Sequence, residues 1–477
     1  MVNVRRNIWT LTAPNRPNDP WHPATLAYAK AVRTMQQRPR TDPTSWAYQA
    51  AIHGLAGIAP PAGAPWNECQ HSTWYFLPWH RMYLAQFERI VRAAVVANGG
   101  PADWALPYWN YSDGAPGNTL PLAFRQPKLP DGTPNPLFVA RRRPAVNSGA
   151  TLPASVTSTT AAMALSEFTG SAPGGFGGPR TGFNHGGGAF GALENQPHNI
   201  IHVMVGGTGL MSNPDTAAED PIFWLHHANI DRLWEHWQLA PGHANPATAT
   251  WASKSFKLRD DKGKTVRTRV DAVLDAREQL DYTYDSLPAV APAPAPVRRL
   301  PTRTGPHAGT PMRKPKPAMI SRTSDRLEVS DAGARTVIPA SNQPLKRRRR
   351  TTGVGRGAAG DSAAPIAYQL DIADITGTAN PGVVYGVYVN LPARAGSGVR
   401  DDHLAGVVSF FGVEQSSLAP LHYSFDVTTL FERLGLDPTT NDIGVALLPI
   451  EGTETDLDVQ ERESRTVSVG TISVHAV

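Results

Sequence analysis

This chain holds a single cysteine, Cys69, in 477 residues. One thiol excludes an internal disulfide and leaves the redox compartment open. There is no run of 18 or more apolar residues, so no membrane-crossing helix and no membrane partner are expected. The N-terminus, Met1-Val-Asn-Val-Arg-Arg-Asn7, has a basic pair with no apolar stretch behind it. That is not a secretory leader, and a cytoplasmic location is the expectation. Internal repeats are absent. So is the His-Glu-x-x-His pattern of a zinc hydrolase. Net positive charge is scarce outside one segment: residues 298–350 carry 14 Lys/Arg against three acids, a balance of +11 in a chain of net +5, so the remainder is net −6. The run Lys346-Arg-Arg-Arg-Arg350 lacks interleaved aromatics or a nucleic-acid motif, so it reads as a solvated loop and not as a nucleic-acid contact.

Glycine and proline are plentiful, 42 and 44 residues, and imply many loops. Residues 1–285 read as a mainly helical domain. Residues 23–37 and 44–53 have helical periodicity, and 78–97 repeats apolar residues at helical spacing (Tyr83, Phe87, Ile90, Val91, Ala94). Helices resume at 198–205 and 220–238. Between them lies a Gly/Pro/Ser-rich stretch, densest at 174–191, and long loops of that kind are commonly functional. Residues 286–319 form an Ala/Pro/Arg-rich linker. Residues 320–477 carry short β-type runs (327–329, 336–338, 368–372, 383–389, 407–411, 443–448, 467–474), read as a small antiparallel β-sandwich interrupted by a basic flexible loop at 341–364.

Histidines carry the chemistry. His53 stands near His71 and His80, the latter two in Cys69-Gln-His-Ser-Thr-Trp-Tyr-Phe-Leu-Pro-Trp-His-Arg81. A second group is His198 and His202 with the pair His226-His227 in Asp220-Pro-Ile-Phe-Trp-Leu-His-His-Ala-Asn-Ile-Asp231. Neutral imidazoles with few carboxylates nearby suit copper. His198 and His202, four apart, fall within about 40° of one another on a helix. Pro78 belongs in a first turn, which puts His80 on a helix and His71 on the segment before it. Adjacent His226 and His227 diverge by about 100°, so one metal takes only one of them. The stripe Phe223, His227, Ile230, Trp234 is the more uniformly apolar, which makes His227 the ligand and His226 a supporting neighbour. His22 and His185, in Pro- and Gly-rich settings, read as surface residues.

These residues resemble the type-3 copper family of tyrosinases, catechol oxidases and hemocyanins. The similar stretches are Trp74-Tyr-Phe-Leu-Pro-Trp-His-Arg-Met-Tyr-Leu84 with Glu88-Arg89, His198-Asn-Ile-Ile-His202, and Asp220 through Trp234. Val4-Arg-Arg-Asn-Ile8 and Tyr282-Thr-Tyr284 resemble the segments that open and close the family's catalytic domain. Residues 256–266, 384–390 and 467–474 look like plant polyphenol oxidases, whose C-terminal region covers the copper site in a latent form. The resemblance implies a four-helix bundle around two copper ions held by His53, His71 and His80 and by His198, His202 and His227. It implies oxidation of o-diphenols, and hydroxylation of monophenols, to o-quinones with dioxygen, in a latent enzyme. A Cys-x-His at this point implies a thioether between Cys69 and His71, as in fungal tyrosinases and molluscan hemocyanins, with an unmodified buried thiol as the alternative. The plant pattern puts its cysteine where Gly57 stands here.

A phenol has a pKa near about 10, so hydroxylation needs a base beside the metals. Glu194 and Asn199 match the family's proposed water-holding pair; a helix N-terminal carboxylate is the other reading of Glu194. Asp231, four beyond His227, is a candidate acceptor for a ring N–H, or else a partner for Arg232 or another base. Pro214 aligns with a bulky phenylalanine of plant catechol oxidases and implies wider access. The loop 412–422 corresponds to the plant segment over the site. An o-aminophenol oxidase and a hemocyanin-like oxygen carrier use the same ligands. Delivery of copper by a chaperone, and oligomerisation, are left open.

Overall fold

The structure is a computed structural model that describes residues 2–11, 19–170, 174–185, 187–287, 317–343, 367–394, 396–417, 419–453 and 459–477. Nearly all of the expected linker and basic loop lies outside these residues.

Five helices frame the first half. Helix α1 is Pro23–Gln36, α2 Trp46–His53, α3 Phe76–Ala97, α4 Ile200–Gly206 and α5 Pro221–Leu239. Side chains start three of them. The His22 ring accepts from Ala24 N, Ser45 Oγ from Tyr48 N, and Asp220 Oδ1 from Ile222 N, each satisfying a backbone donor the helix cannot. His22, expected only as a surface residue, thus caps α1. Pro78 is the third residue of α3, within its first turn, as its chemistry requires. Apolar faces of α1, α3 and α5 close one core around Phe76, Phe87, Phe223 and Trp224. Among the described residues, no helix is long and apolar enough to cross a membrane.

The two ends of this half meet. Asn3–Arg5 pairs in parallel with Tyr282–Tyr284. Beneath that pair lies a buried ionic knot. Arg5 Nε is 2.7 Å from Glu88, Arg81 Nε is 2.5 Å from Asp231 Oδ1, and both Tyr282 and Tyr284 donate to Asp231 Oδ2 at 2.6 and 2.5 Å. Asp231 therefore does not hold a ligand imidazole, as one sequence reading had it. On its helix it faces Arg5 and Arg81, and those guanidinium groups with the two phenols take its oxygens; they hold its carboxyl below the usual carboxylate range against the cost of burial. Asp231→Ala leaves two buried cations short of their counter-ion. The expected cost is about 3–5 kcal/mol, read as a fall in thermal midpoint; an unchanged midpoint would contradict the knot's structural role.

The C-terminal half is built of two sheets. One has four strands in the order Leu404–Ser409, Val384–Val389, Ile443–Pro449, Ala334–Ile338, all antiparallel. The other carries Leu421–Asp426, Tyr368–Thr376, Val467–Ala476 and Ala318–Arg322, with Leu327–Val329 also paired to Val467–Ala476. Their inner faces share one core that includes Ile372, Tyr385, Val387, Val445 and Ile472. Strands at Ala318–Arg322 and Leu421–Asp426, and the hairpin Ser255–Arg259/Thr265–Arg269, were not anticipated. Alternation of Phe256 and Leu258, and of Leu421, Tyr423 and Phe425, with polar residues was the available signal for two of them.

The halves are joined tightly. Gly188–Ala189, inside the Gly-rich stretch, adds a parallel strand to Leu421–His422. Val384–Val389 is buried on both faces: Tyr385, Val387 and Val389 enter the C-terminal core, while Val384 joins Val407, Phe411 and Ile450 in the core of the helical half. Ser409 Oγ donates to Asn199 O at 3.0 Å, and Asn380 Nδ2 to Ser212 O at 3.3 Å. The result is a mixed α/β chain whose C-terminal sheets lie against its helices.

Candidate metal centre

Five of the six expected ligands are oriented by a neighbour that shares their surroundings, usually a backbone carbonyl; the Nδ1 of the sixth, His227, is buried without a partner. His53, the last residue of α2, sets Nδ1 2.8 Å from Pro214 O. In α3 the Nδ1 of His80 lies 2.8 Å from Phe76 O, one turn back. His71, on the segment before α3, points Nδ1 at His185 O, 3.1 Å away. His202 in α4 meets Met211 O at 2.8 Å, and His198, in the irregular turn preceding α4, meets Asn199 Oδ1 at 2.8 Å. A carbonyl accepts a proton and cannot donate one. These contacts therefore place the ring proton on Nδ1 and leave an Nε2 lone pair facing inward.

The inward nitrogens have no other use. Nε2 of His53, His71 and His80 is buried without a hydrogen-bond partner. Nε2 of His227 lies 3.3 Å from that of His198 and 3.4 Å from that of His202. Converging lone pairs repel unless a cation lies among them. The donor atoms of His53, His71 and His80 lie within 4.8 Å of one another, as do those of His198, His202, His226 and His227. The groups adjoin, since the rings of His80 and His227 stack 4.4 Å apart. His226 stacks on the His198 ring at 5.3 Å and packs against Tyr111, beside the convergence point. Burial, reinforced by neighbouring imidazoles, drives His53, His80, His198, His202 and His227 well below the usual histidine pKa, so all are neutral imidazoles, the form that can bind a metal. The nitrogen-only donor set fits copper.

His71 is the exception. Burial lowers its pKa, but the Cys69 thiol and Glu194 outweigh it and the net shift is upward. Cys69 Sγ lies 3.3 Å from His71 Nδ1 and 3.0 Å from His185 Nδ1. Burial pushes the thiol up, yet the two imidazoles bring it down to about 7. His185 is not the surface residue its glycine-rich setting suggested. It is wedged between Cys69 and Asp215, whose Oδ1 is 3.4 Å from Nε2. The loop that carries it is pinned by the Gly188–Ala189 pairing, which local composition cannot reveal.

Glu194 is fully buried, with both carboxylate oxygens on Ser72 N at 2.8 and 3.0 Å. Burial pushes its carboxyl up to about 8, against the pull of His71 and the Ser72 N–H. Among the described residues no bond joins Glu194 to Asn199, whose Nδ2 is buried and unpaired. Pro214 is buried, with its ring under Gly412. The sequence placed the covering contact in residues 412–422. The ring that enters the histidine cluster is one residue earlier: Phe411 stacks on His202 at 4.3 Å and 22°, and approaches His71 and His198 at 5.9 and 5.8 Å. An exposed-looking Phe410-Phe411-Gly412 at a strand end was the available signal.

Comparison with known proteins decides the family. The model for the common central domain of tyrosinase matches residues 43–144 and 133–240, and a domain of unknown function (DUF7868) matches 316–477. A tyrosinase from Hahella sp. (strain CCB-MM4) is 34% identical over 490 residues, covering 94% of this chain and 96% of its own. The chain belongs to the tyrosinase family. A latent-form chloroplastic polyphenol oxidase of Prunus armeniaca is 28% identical over 92% of this chain and 73% of its own. In fold, the chain is similar to latent apple tyrosinase, at TM-score 0.62 and 20% identity, over 100% of this chain and 97% of that one. This tyrosinase-family member is thus a copper oxidoreductase acting on phenols, of the type-3 dicopper class, and its two histidine clusters suit that centre.

Proposed function

We propose that His53, His71 and His80 hold one copper ion and His198, His202 and His227 the other, at the meeting of four helical segments. The chain then oxidises o-diphenols to o-quinones with dioxygen and hydroxylates monophenols. The convergence of six buried imidazoles, five of them with Nδ1 tied to a carbonyl or amide oxygen, carries this reading. Bound there, the copper pair supplies the two-electron redox chemistry with dioxygen.

The protein's own groups do the rest. The walls around His202 and His198 present ring faces that stack a phenol where Phe411 now lies, and their burial excludes water. Glu194 takes the phenol proton; a pKa raised to about 8 matches a base working near neutral pH. Asn199 holds the His198 ring through Oδ1 and keeps a buried, unpartnered Nδ2 beside it. Glu194→Gln lowers monophenol hydroxylation by about a hundredfold, the scale of a lost general base, and lowers diphenol oxidation much less. Equal losses on both substrates would remove Glu194 from that role. Cys69 stands beside the His71 ring for a thioether, whose formation lowers the intact mass by two hydrogens.

Phe411 seated on His202 supports a latent form, with the C-terminal sheets as the shield. The decisive experiment measures copper per chain and rates on paired mono- and diphenols, before and after limited proteolysis. Quinone formation from catechol separates the oxidase from an oxygen carrier, and an o-aminophenol arm separates the aminophenol oxidase.

A further inference from the structure

The shield places two side chains in the mouth of the site. Phe411 lays an aromatic ring on His202. The chain then turns at Gly412, whose φ of +81° favours glycine, and one short 3-10 turn, Val413–Gln415, brings Gln415 back over the first half. There Gln415 Nε2 donates to Asp215 Oδ1 at 3.2 Å. Glu414, between them, accepts from Asn380 N at 3.0 Å and holds the turn to the sheets.

Asp215 is well placed to read a ligand. It follows Pro214, whose carbonyl holds His53, so its position relative to the metal centre is set through one residue. Its own backbone N–H donates to Asn213 Oδ1 at 2.8 Å. His185 Nε2 braces the same oxygen, Oδ1, at 3.4 Å. A carboxylate has about four acceptor sites, so one brace leaves room for a further donor, as Gln415 already demonstrates.

An aromatic ring followed by a hydrogen-bond donor is the outline of a phenol with a short donor tail. We propose that Asp215 is a specificity-determining residue that recognises the tail of the substrate, favouring phenols with a short ammonium-bearing chain over those ending in a carboxylate, and that Gln415 occupies this tail subsite while the shield is closed. This rests on the dicopper phenol-oxidase reading above. A carboxylate attracts the ammonium and repels the acid, so the discrimination draws on both terms.

The test uses the copper-loaded full-length chain with both covering side chains truncated, Phe411→Ala with Gln415→Ala; Phe411→Ser with Gln415→Ala serves as a second opened form if the first does not fold. Tyramine and 3-(4-hydroxyphenyl)propionate share a ring and a chain length and differ in tail charge. Their dissociation constants are measured by calorimetry without oxygen, so no turnover intervenes. Tyramine binds about tenfold more tightly, a ratio worth about 1.4 kcal/mol. Asp215→Asn brings the ratio close to one by weakening the amine and strengthening the acid, whereas Asp215→Glu keeps the preference. A purely structural role would move both constants the same way. An unchanged ratio in Asp215→Asn, or no binding of either probe, overturns the inference. Copper content and catechol oxidation of the same samples report on the underlying function separately: catechol turnover with an unmoved ratio defeats the tail subsite alone.

Discussion

His227→Ala, loaded with copper, retains about one copper ion per chain and loses at least about a thousandfold in catechol oxidation, while His226→Ala keeps both ions. The adjacent pair makes this a sharp comparison. Both rings are fully buried, both lie within the same four-histidine group, and both leave a comparable hole when truncated. They differ in direction. His227 Nε2 closes on His198 and His202 and its ring stacks on His80, whereas His226 lies behind, on the His198 ring and Tyr111. The cavity cost is therefore similar in the two variants, and metal analysis isolates ligation from packing. If His226→Ala sheds the metal and His227→Ala does not, the ligand assignment is wrong.

Phe411→Ala raises kcat/KM of the uncleaved chain by up to about a hundredfold. A buried phenylalanine contributes about 3–5 kcal/mol relative to alanine, and about 3 kcal/mol of bias toward a closed state holds the open fraction near one in a hundred. The substitution removes the ring from His202 but leaves Ser409, Asn380 and the Gly188–Leu421 strand pairing in place, so the sheets stay docked while the site clears. Proteolysis of the variant then adds little further activity. A folded Phe411→Ala chain that is no more active than the parent, and is still activated by cleavage, would place the block elsewhere.

Much of the architecture was legible because periodicity is local. Helix α3 carries Tyr83, Phe87, Ile90, Val91 and Ala94 at helical spacing, and α5 carries Phe223, His227, Ile230 and Trp234. Both stripes are buried. Proline at 78 marked the first turn of α3, because its ring is excluded from a helix interior. Strands with apolar runs, such as Val384–Val389 and Ile443–Pro449, also announced themselves. Leu421–Asp426 was not anticipated, although its buried Leu421, Tyr423 and Phe425 alternate strictly with His422, Ser424 and Asp426; its partners Tyr368–Thr376 and Gly188–Ala189 lie far away in sequence.

What the sequence alone determined is which side chains can bind a metal: histidines at helical spacing, in apolar surroundings, in motifs long enough to resemble one family. What only the tertiary structure decided is how those rings are aimed and what covers them. The carbonyls of Phe76, His185, Met211 and Pro214 orient imidazoles, yet every residue has a carbonyl, so composition carries no trace of that role. Asp231 answers to Arg5 and Arg81 and not to a histidine, and His185 is half-buried against Cys69, because segments over a hundred residues apart pack together. Those contacts are set by the closure of the whole chain, and no local pattern encodes them.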